Sequence, residues 1–516
     1  VNSPEQQNPT PSLECADALR ADLMAARFGV DAVGRLLGDA AQAALGRAQR
    51  VPARRALLPH AGEPLATLVT LFLLGDAVPA AAAAAAFPAL GLAGARKGGL
   101  VAQGEGGSVR ATVDLRPYGF VDTVGVGEWW IASDLGELAS GGALREDHVL
   151  GIGGASTTLS GLMMSEPVDA ALDLGTGCGI QALHAARHAR RVVATDISER
   201  ALDIAAFNAR LNGVESIEFR LGSLYEPVAG ERFDHIVSNP PFVITPRAEG
   251  VPEYEYRDGG MVGDALVREV VRGAADHLVP GGVAQLLGNW EYHRDRDAFD
   301  RVREWLTGTR LDAWFLEREV QDAAQYAETW IRDGGTRPGP EFDRLYGAWL
   351  EDFDARGVES VGFGYVTLRA ARENTARGAW PMRVLERVHG SLGHNASGLG
   401  EHIAASLAAR DWLAGRSDAA LAAASLTVAG DVTEERHYWP GQEHPTVIVL
   451  KQGGGFGRSV RLDTGLAALV GACDGDLSVG AIIAAVAQLL EVDPADLLAD
   501  LLPRVRDLVA DGFLRP

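Results

Sequence analysis

The four residues with the most chemical content are Asn239-Pro240-Pro241-Phe242, at the end of an apolar run. The two prolines remove two backbone donors and stiffen the loop, leaving carbonyl oxygens to point outward. An –NH2 on a base or an amide is a poor nucleophile, because its lone pair is delocalised into the neighbouring π system. If the Asn239 side-chain oxygen and the Pro240 carbonyl each accept one N–H, that nitrogen is held with its lone pair aimed at an electrophile. This is positioning with electrostatic stabilisation, and it needs no strong general base. Phe242 can stack on the planar group that carries the nitrogen.

Upstream lies a second cluster, Asp173-Leu174-Gly175-Thr176-Gly177-Cys178-Gly179. Its glycines let the backbone turn sharply and approach a ligand at the start of the helix near Gly179. Ile180 stands where a dinucleotide fingerprint needs its third glycine, which argues against a nicotinamide-dependent oxidoreductase. Taken alone, such a loop is equally a tight strand–helix turn. Asp196 adds to it: a carboxylate ending the next apolar run can accept from both hydroxyls of a ribose. Asp173 offers a second carboxylate, suited to an ammonium group. A nucleoside bearing an amino acid satisfies both, and S-adenosylmethionine is such a molecule.

Short β-type runs position these clusters: 170–172, 191–195, a third ending near Gly222-Ser223-Leu224, and 233–238. They alternate with helical patterns, as in βαβ units of a parallel sheet. In such sheets ligands collect beyond the carboxyl ends of the strands, where all four clusters fall. The order Asp173-Leu-Gly-Thr-Gly-Cys-Gly, Asp196, Gly222-Ser-Leu, Asn239-Pro-Pro-Phe242 resembles class I S-adenosylmethionine-dependent methyltransferases. Within them it is similar to the "methyltransferase small" group, which methylates exocyclic nitrogens of ribosomal and transfer RNA and the glutamine amide of release factors. The resemblance covers roughly residues 145–290. It implies an α/β, Rossmann-like core of seven strands, the last antiparallel. It implies that Asp173, Gly175, Thr176, Gly177 and Gly179 line the methionine end of the cofactor, with Asp196 and Ile197 at the ribose and adenine edge. Ser223 and Leu224 then flank the adenine, and Asn239, Pro240, Pro241 and Phe242 hold the target nitrogen beside the cofactor. Thr158 belongs to a segment closing over the cofactor's carboxylate, where a helix start capped at Ser156 is the plainer expectation. Many relatives carry an acid where Ser223 stands, so the serine hydroxyl or the Leu224 backbone takes that contact here.

The length of 516 residues suggests about three domains. The division expected is a winged-helix-like domain over 1–120, a methyltransferase domain over 121–370, and a helical and winged-helix-like domain over 371–516. The last is similar to PqqD-like peptide-binding domains. A helical insertion of about forty residues, 319–357, separates the final two strands of the core. The loop 244–261 is long enough to suspect function: Arg247 or Arg257 can meet a phosphate or carboxylate, and Tyr254 or Tyr256 can stack. Surface dressing is the equal alternative. Cysteines 15, 178 and 473 form no C-x-x-C pair, which fits a reducing cytoplasm and no metal site. His389, His394 and His402 lack an acidic partner at ligand spacing. The glycine run 453–457 lacks a following Gly-Lys-Ser/Thr and reads as a hairpin turn. No signal peptide is visible, and the apolar stretch 65–74 is too short to span a bilayer.

A net charge of −22 disfavours a large nucleic-acid footprint, although Arg187, Arg190 and Arg191 cluster, as do Arg47, Arg50, Arg54 and Arg55. The expected activity is methyl transfer to a planar nitrogen, of an RNA base or of a protein Gln/Asn amide. Two alternatives stand beside it. One is a peptide-tailoring methyltransferase whose C-terminal domain grips a precursor peptide; the other is a non-catalytic cofactor sensor.

Overall fold

The computed structural model describes residues 10–136, 139, 145–252, 254–372 and 381–516. Its central feature is a mixed sheet built on β1 (Val168–Leu174), β2 (Ala189–Asp196), β3 (Ile217–Leu221), β4 (Phe233–Ser238), β5 (Leu278–His293), β6 (Asp312–Asp322), β7 (Val358–Arg369) and β8 (Arg383–Arg387). The strand order is β8-β6-β7-β5-β4-β1-β2-β3. Strands β1 to β5 are mutually parallel, and β7 runs antiparallel to both β5 and β6. Order reverses beside β1, so loops leaving β1 and β4 diverge and open a crevice at their carboxyl ends. The seven strands expected are present with the antiparallel last one. An eighth, β8, adds parallel to β6 at the edge.

Helices pack on this sheet with apolar faces inward: α1 (Ile180–Ala185), α2 (Glu199–Leu211), α3 (Ala265–His277) and α4 (Ala298–Trp305). On α3, Leu266, Val267, Val270, Val271 and Ala274 recur at helical spacing and are all buried. The insertion folds as α5 (Ala323–Asp333) and α6 (Pro340–Arg356). Its boundaries are chemically marked. The Asp322 carboxylate accepts the Gln325 amide at 2.7 Å, Pro340 opens α6, and Gly357 closes it in the left-handed region at φ +68°.

Strand β5 runs further than its apolar segment 283–287 suggested. Gly288 to Tyr292 continue the ladder opposite Ser360 to Gly364 of β7. Pairing with an antiparallel partner, together with full burial of Trp290, outweighs the low strand propensity of Gly288-Asn289. That extension carries Asn289 into the site.

Contacts group the chain into two compact units, residues 1–160 with 166–387, and 161–165 with 388–516. In the first, seven short helices between Ala16 and Lys97 surround a small sheet and precede a hairpin, Asp114–Asp122 with Gly125–Ser133. Trp129 on that hairpin is buried and Trp130 half-buried, as alternation along a strand requires. In the second unit two three-stranded sheets accompany helices Gly400–Ala414, Thr464–Gly471, Val479–Leu490 and Pro494–Ala510. The glycine run 453–457 joins two antiparallel strands, Val447–Gln452 and Ser459–Leu462. No helix among the described residues is long and apolar enough to cross a membrane. Among the same residues, no group of three His, Cys, Asp or Glu side chains could hold a metal ion.

Candidate functional site

The carboxyl ends of β1, β2, β3 and β4 are stitched together by a few polar groups. Asp196 is the hub. Its side chain accepts from Gly177 N and Ser198 N, both at 2.9 Å, and its carbonyl accepts from Gly222 N at 2.9 Å. The Thr195 carbonyl accepts from both Gly175 N and Thr176 N at 2.9 Å. The Ser238 hydroxyl donates to the Leu174 carbonyl at 2.7 Å, which fixes the start of the Asn-Pro-Pro-Phe turn against β1. Each oxygen of Asp196 therefore keeps one acceptor site after its backbone bond. Burial raises the Asp196 pKa, against the lowering effect of the Ser198, Gly177 and Ile197 amides.

The three glycines of the loop have different jobs. All lie at positive φ, +77°, +54° and +86° at Gly175, Gly177 and Gly179. A Cβ at Gly175 or Gly177 would meet no atom within 4 Å, whereas one at Gly179 would sit 2.9 Å from the Ala205 Cβ on α2. The first two therefore face open ground, where a ligand can approach the backbone. Gly179 lets α1 and α2 pack closely. Cys178 between them is buried, and burial pushes its thiol up to about 11, so it is a space-filling neutral thiol.

Asp173 is fully buried at the floor of this loop. One oxygen accepts the Thr176 hydroxyl at 2.6 Å, and the other, Oδ1, has no hydrogen-bond partner. Burial pushes its carboxyl up to about 7, opposed by the Thr176 hydroxyl and the Ala182 amide. A buried carboxylate with an unused lone pair is costly unless something cationic or a donor reaches it. Asn239 presents a parallel case: its Oδ1 is buried and unpartnered. Two orphaned acceptors thus stand at the ends of adjacent strands β1 and β4.

Around Phe242 the acceptor side is tightly built. The half-buried Phe242 ring meets Trp330 and Phe363 edge-on at 6.3 and 6.4 Å. Its carbonyl accepts from Asn289 Nδ2 at 2.6 Å. The same Nδ2 donates to the Tyr326 hydroxyl at 3.1 Å, which also accepts the Ile244 amide at 2.9 Å. Asn289 and Tyr326 carried no signal in the sequence, for neither belongs to a motif.

The remaining candidates divide. Ile197 and Ser223 are exposed and Leu224 half-buried beside Gly222; Leu224 adopts φ +47°, unusual for a branched side chain. The helix before β1, Gly154–Leu162, starts two residues earlier than Ser156. Thr158 is half-buried on it, the Thr157 hydroxyl turns back to the Gly154 carbonyl at 3.0 Å, and the Ser156 carbonyl accepts from Gln181 at 2.8 Å. In the loop after Phe242, the two arginines are internal ties. Arg247 pairs with Asp258; Arg257 is buried, donates to Asp333 at 2.9 Å and to the Trp330 carbonyl at 2.8 Å, and lies over the Tyr254 ring. Tyr254 is itself buried. Structure takes these side chains, and the expectation that an arginine here meets a phosphate finds no support in their geometry. Asn208, fully buried on α2, also escaped the sequence. Its amide donates to the carbonyls of Cys178 and Ala132 at 2.8 and 2.9 Å, and its Oδ1 accepts from Ala132 N, binding the glycine loop to the preceding hairpin.

Comparison with known proteins agrees with this arrangement. Residues 152–304 match the methyltransferase small domain. Residues 25–112 and 404–516 match two domains of unknown function, DUF7059 and DUF7782. A release factor glutamine methyltransferase of Xylella fastidiosa is 44% identical over 128 residues, 23% of this chain and 46% of that protein. A ribosomal protein uL3 glutamine methyltransferase of Bradyrhizobium diazoefficiens is 36% identical over 192 residues, 35% of this chain and 57% of that protein. The chain thus spans about half the length of the curated relatives it matches. Among solved structures, a methyltransferase from Pyrococcus furiosus aligns at a TM-score of 0.25 and 17% identity, covering 40% of this chain and 78% of that one.

Proposed function

We propose that this chain, whose residues 152–304 are a methyltransferase small domain, transfers a methyl group from S-adenosylmethionine to a planar nitrogen, and that this nitrogen is a side-chain amide of a protein. The observation that carries the reading is the buried, unpartnered Asn239 Oδ1 on a two-proline turn, beside an open glycine loop with its own orphaned acceptor at Asp173. The donor set fits the cofactor. Gly175 and Gly177 leave backbone open to it, Asp173 Oδ1 suits its ammonium group, and each Asp196 oxygen keeps an acceptor site for a ribose hydroxyl. When bound, S-adenosylmethionine supplies an electrophilic methyl on a sulfonium sulfur.

Every other part of the reaction falls to side chains and backbone of this chain. Asn239 Oδ1 and the Pro240 carbonyl accept the two N–H bonds of the amide, which orients the nitrogen lone pair and draws density toward it. As the carbon–nitrogen bond forms and the methyl–sulfur bond breaks, with S-adenosylhomocysteine as the leaving group, the nitrogen gains positive charge. Its N–H bonds become more acidic and both acceptors hold them more tightly than before, the condition for lowering a barrier, and one of those protons then passes to solvent. Pro241 keeps the turn rigid, and Phe242 offers a ring to the amide plane.

A protein amide is favoured over an RNA base for two reasons. The arginines of the nearby loop are committed to Asp258 and Asp333, and the chain carries a net charge of −22. The relatives named above act on glutamine in a release factor and in a ribosomal protein. An acceptor in the translation machinery would be met in the cytoplasm, which is the location this reading implies. The test is transfer of tritium from methyl-labelled cofactor into a cell extract lacking the protein, fractionated into RNA, protein and small molecules. Label in protein, released as methylamine by acid hydrolysis, supports the reading; label confined to RNA, or bound through oxygen or sulfur, overturns it.

A further inference from the structure

The helical insertion between β6 and β7 lies outside the segment that matches the family, yet it grips the turn that holds the acceptor. We infer that α5 and α6 are the device that sets this turn, with Tyr326 and Asn289 as its positioning residues. The inference rests on the function proposed above and adds to it what fixes the geometry.

Six hydrogen bonds carry it. The Tyr326 hydroxyl receives the Ile244 amide at 2.9 Å and the Asn289 amide at 3.1 Å, and Asn289 in turn donates to the Phe242 carbonyl at 2.6 Å. A single phenol therefore orders both sides of Val243, immediately after the Asn-Pro-Pro-Phe turn. At the far end of α5, Arg257 is held by the Trp330 carbonyl and Asp333. From α6, the Arg344 guanidinium donates to the Gly250 carbonyl at 2.7 Å. Apolar contact fills the space between: Val243 and Ile244 share one buried cluster with Tyr326, Ile331, Trp349 and Phe353.

The physical logic is preorganisation. A loop of this length leaving a strand has many conformations, and fixing each residue costs backbone entropy. Two prolines restrict residues 240 and 241 but say nothing about where the following chain goes. The insertion supplies the missing restraint from a separate, buried helical pair, so that the acceptor geometry exists before the substrate arrives. Because Tyr326 is fully buried, with its ring stacked on Phe363 at 5.6 Å, removing only its oxygen leaves the packing intact while releasing the Ile244 amide.

Hydrogen exchange by mass spectrometry on the full chain tests this directly in Tyr326→Phe, with Asn289→Leu as a second variant. Expected is a tenfold or greater rise in exchange over residues 243–245, with the melting temperature lowered by no more than a few degrees through the donors left without an acceptor. The acceptor found by tritium transfer then serves for kinetics: kcat falls about tenfold while the KM for S-adenosylmethionine stays within twofold, as for a turn displaced but a cofactor site untouched. Exchange unchanged in both variants overturns the inference. So does faster exchange with kcat unaltered, which would make the contact structural only. A wild-type protein that labels nothing refutes the proposed function instead; the exchange result still decides whether Tyr326 orders the turn.

Discussion

The two halves of the site are held in different ways. The half proposed to bind the cofactor, at the ends of β1, β2 and β3, is built from contacts between neighbouring loops, with open glycines and an unpartnered Asp173 oxygen. The half proposed to hold the acceptor, beyond β4, is held from a distance, by Asn289 on the extension of β5 and by Tyr326, Trp330 and Asp333 on α5. A cofactor that many enzymes share can be bound by a short local code. An acceptor that each enzyme chooses for itself calls for a custom frame, and in the reading proposed above the insertion provides it.

This contrast can be broken at Asn239 first. Asn239→Ala is expected to lower turnover by roughly 10²–10³-fold, the usual effect of removing one preorganised group at a reacting centre. Calorimetric affinity for S-adenosylhomocysteine stays within a few-fold. Equal loss of both would join the halves into one. On the cofactor side the counterpart is Asp196→Ala, which should weaken cofactor binding by about 1–3 kcal/mol through a lost charge-assisted bond. The same change also frees the Gly177 and Ser198 amides, so the melting temperature drops with it. Calorimetry showing undiminished affinity would remove Asp196 from the site.

A finer comparison lies within the glycine loop itself. Gly179→Ala forces a Cβ to 2.9 Å from the Ala205 Cβ at a φ of +86°, so it should cost about 1–3 kcal/mol of stability. Gly177→Ala meets no neighbour and should cost less stability but more cofactor affinity. Identical profiles for the two variants in thermal melts and titration would mean that both glycines serve the fold alone.

The last comparison concerns Asp173. Its folded pKa, about 7, lies above the ordinary carboxylate value, so the folded protein favours the protonated form. Stability from this group is complete below about pH 4 and is lost as pH rises through about 7. In the cofactor-free protein, Asp173→Asn should therefore melt a few degrees above wild type at pH 8, the gap narrowing toward pH 4. Cofactor affinity moves oppositely, rising between pH 6 and 8 as the carboxylate forms opposite an ammonium group. A flat affinity profile for wild type over that range would detach Asp173 from the ligand.

Much of the frame is legible in the sequence. Acids and glycines at strand ends, the proline turn and the antiparallel last strand appear where their spacing put them. The loop arginines were open to either a ligand-facing or a structural role, and only their ion-pair partners, Asp258 and Asp333, resolved them as structural. Gly179 was grouped with Gly175 and Gly177 because all three share one motif, yet the Ala205 side chain that gives it a separate task lies on another helix.

What the chain alone determined is whatever depends on a residue's own backbone or its immediate neighbours. Positive φ at Gly175 and Gly177, the stiffness of Pro240-Pro241, and an acid closing β2 are local requirements, written within a few positions. What only the tertiary structure decided is which distant groups meet. Ile244 and Tyr326 are 82 residues apart, Arg257 and Asp333 are 76 apart, and Asn289 and Tyr326 are 37 apart. No periodicity encodes such pairs, because hydrogen bonds and buried packing act across space, and sheet order, not sequence order, brings them within reach.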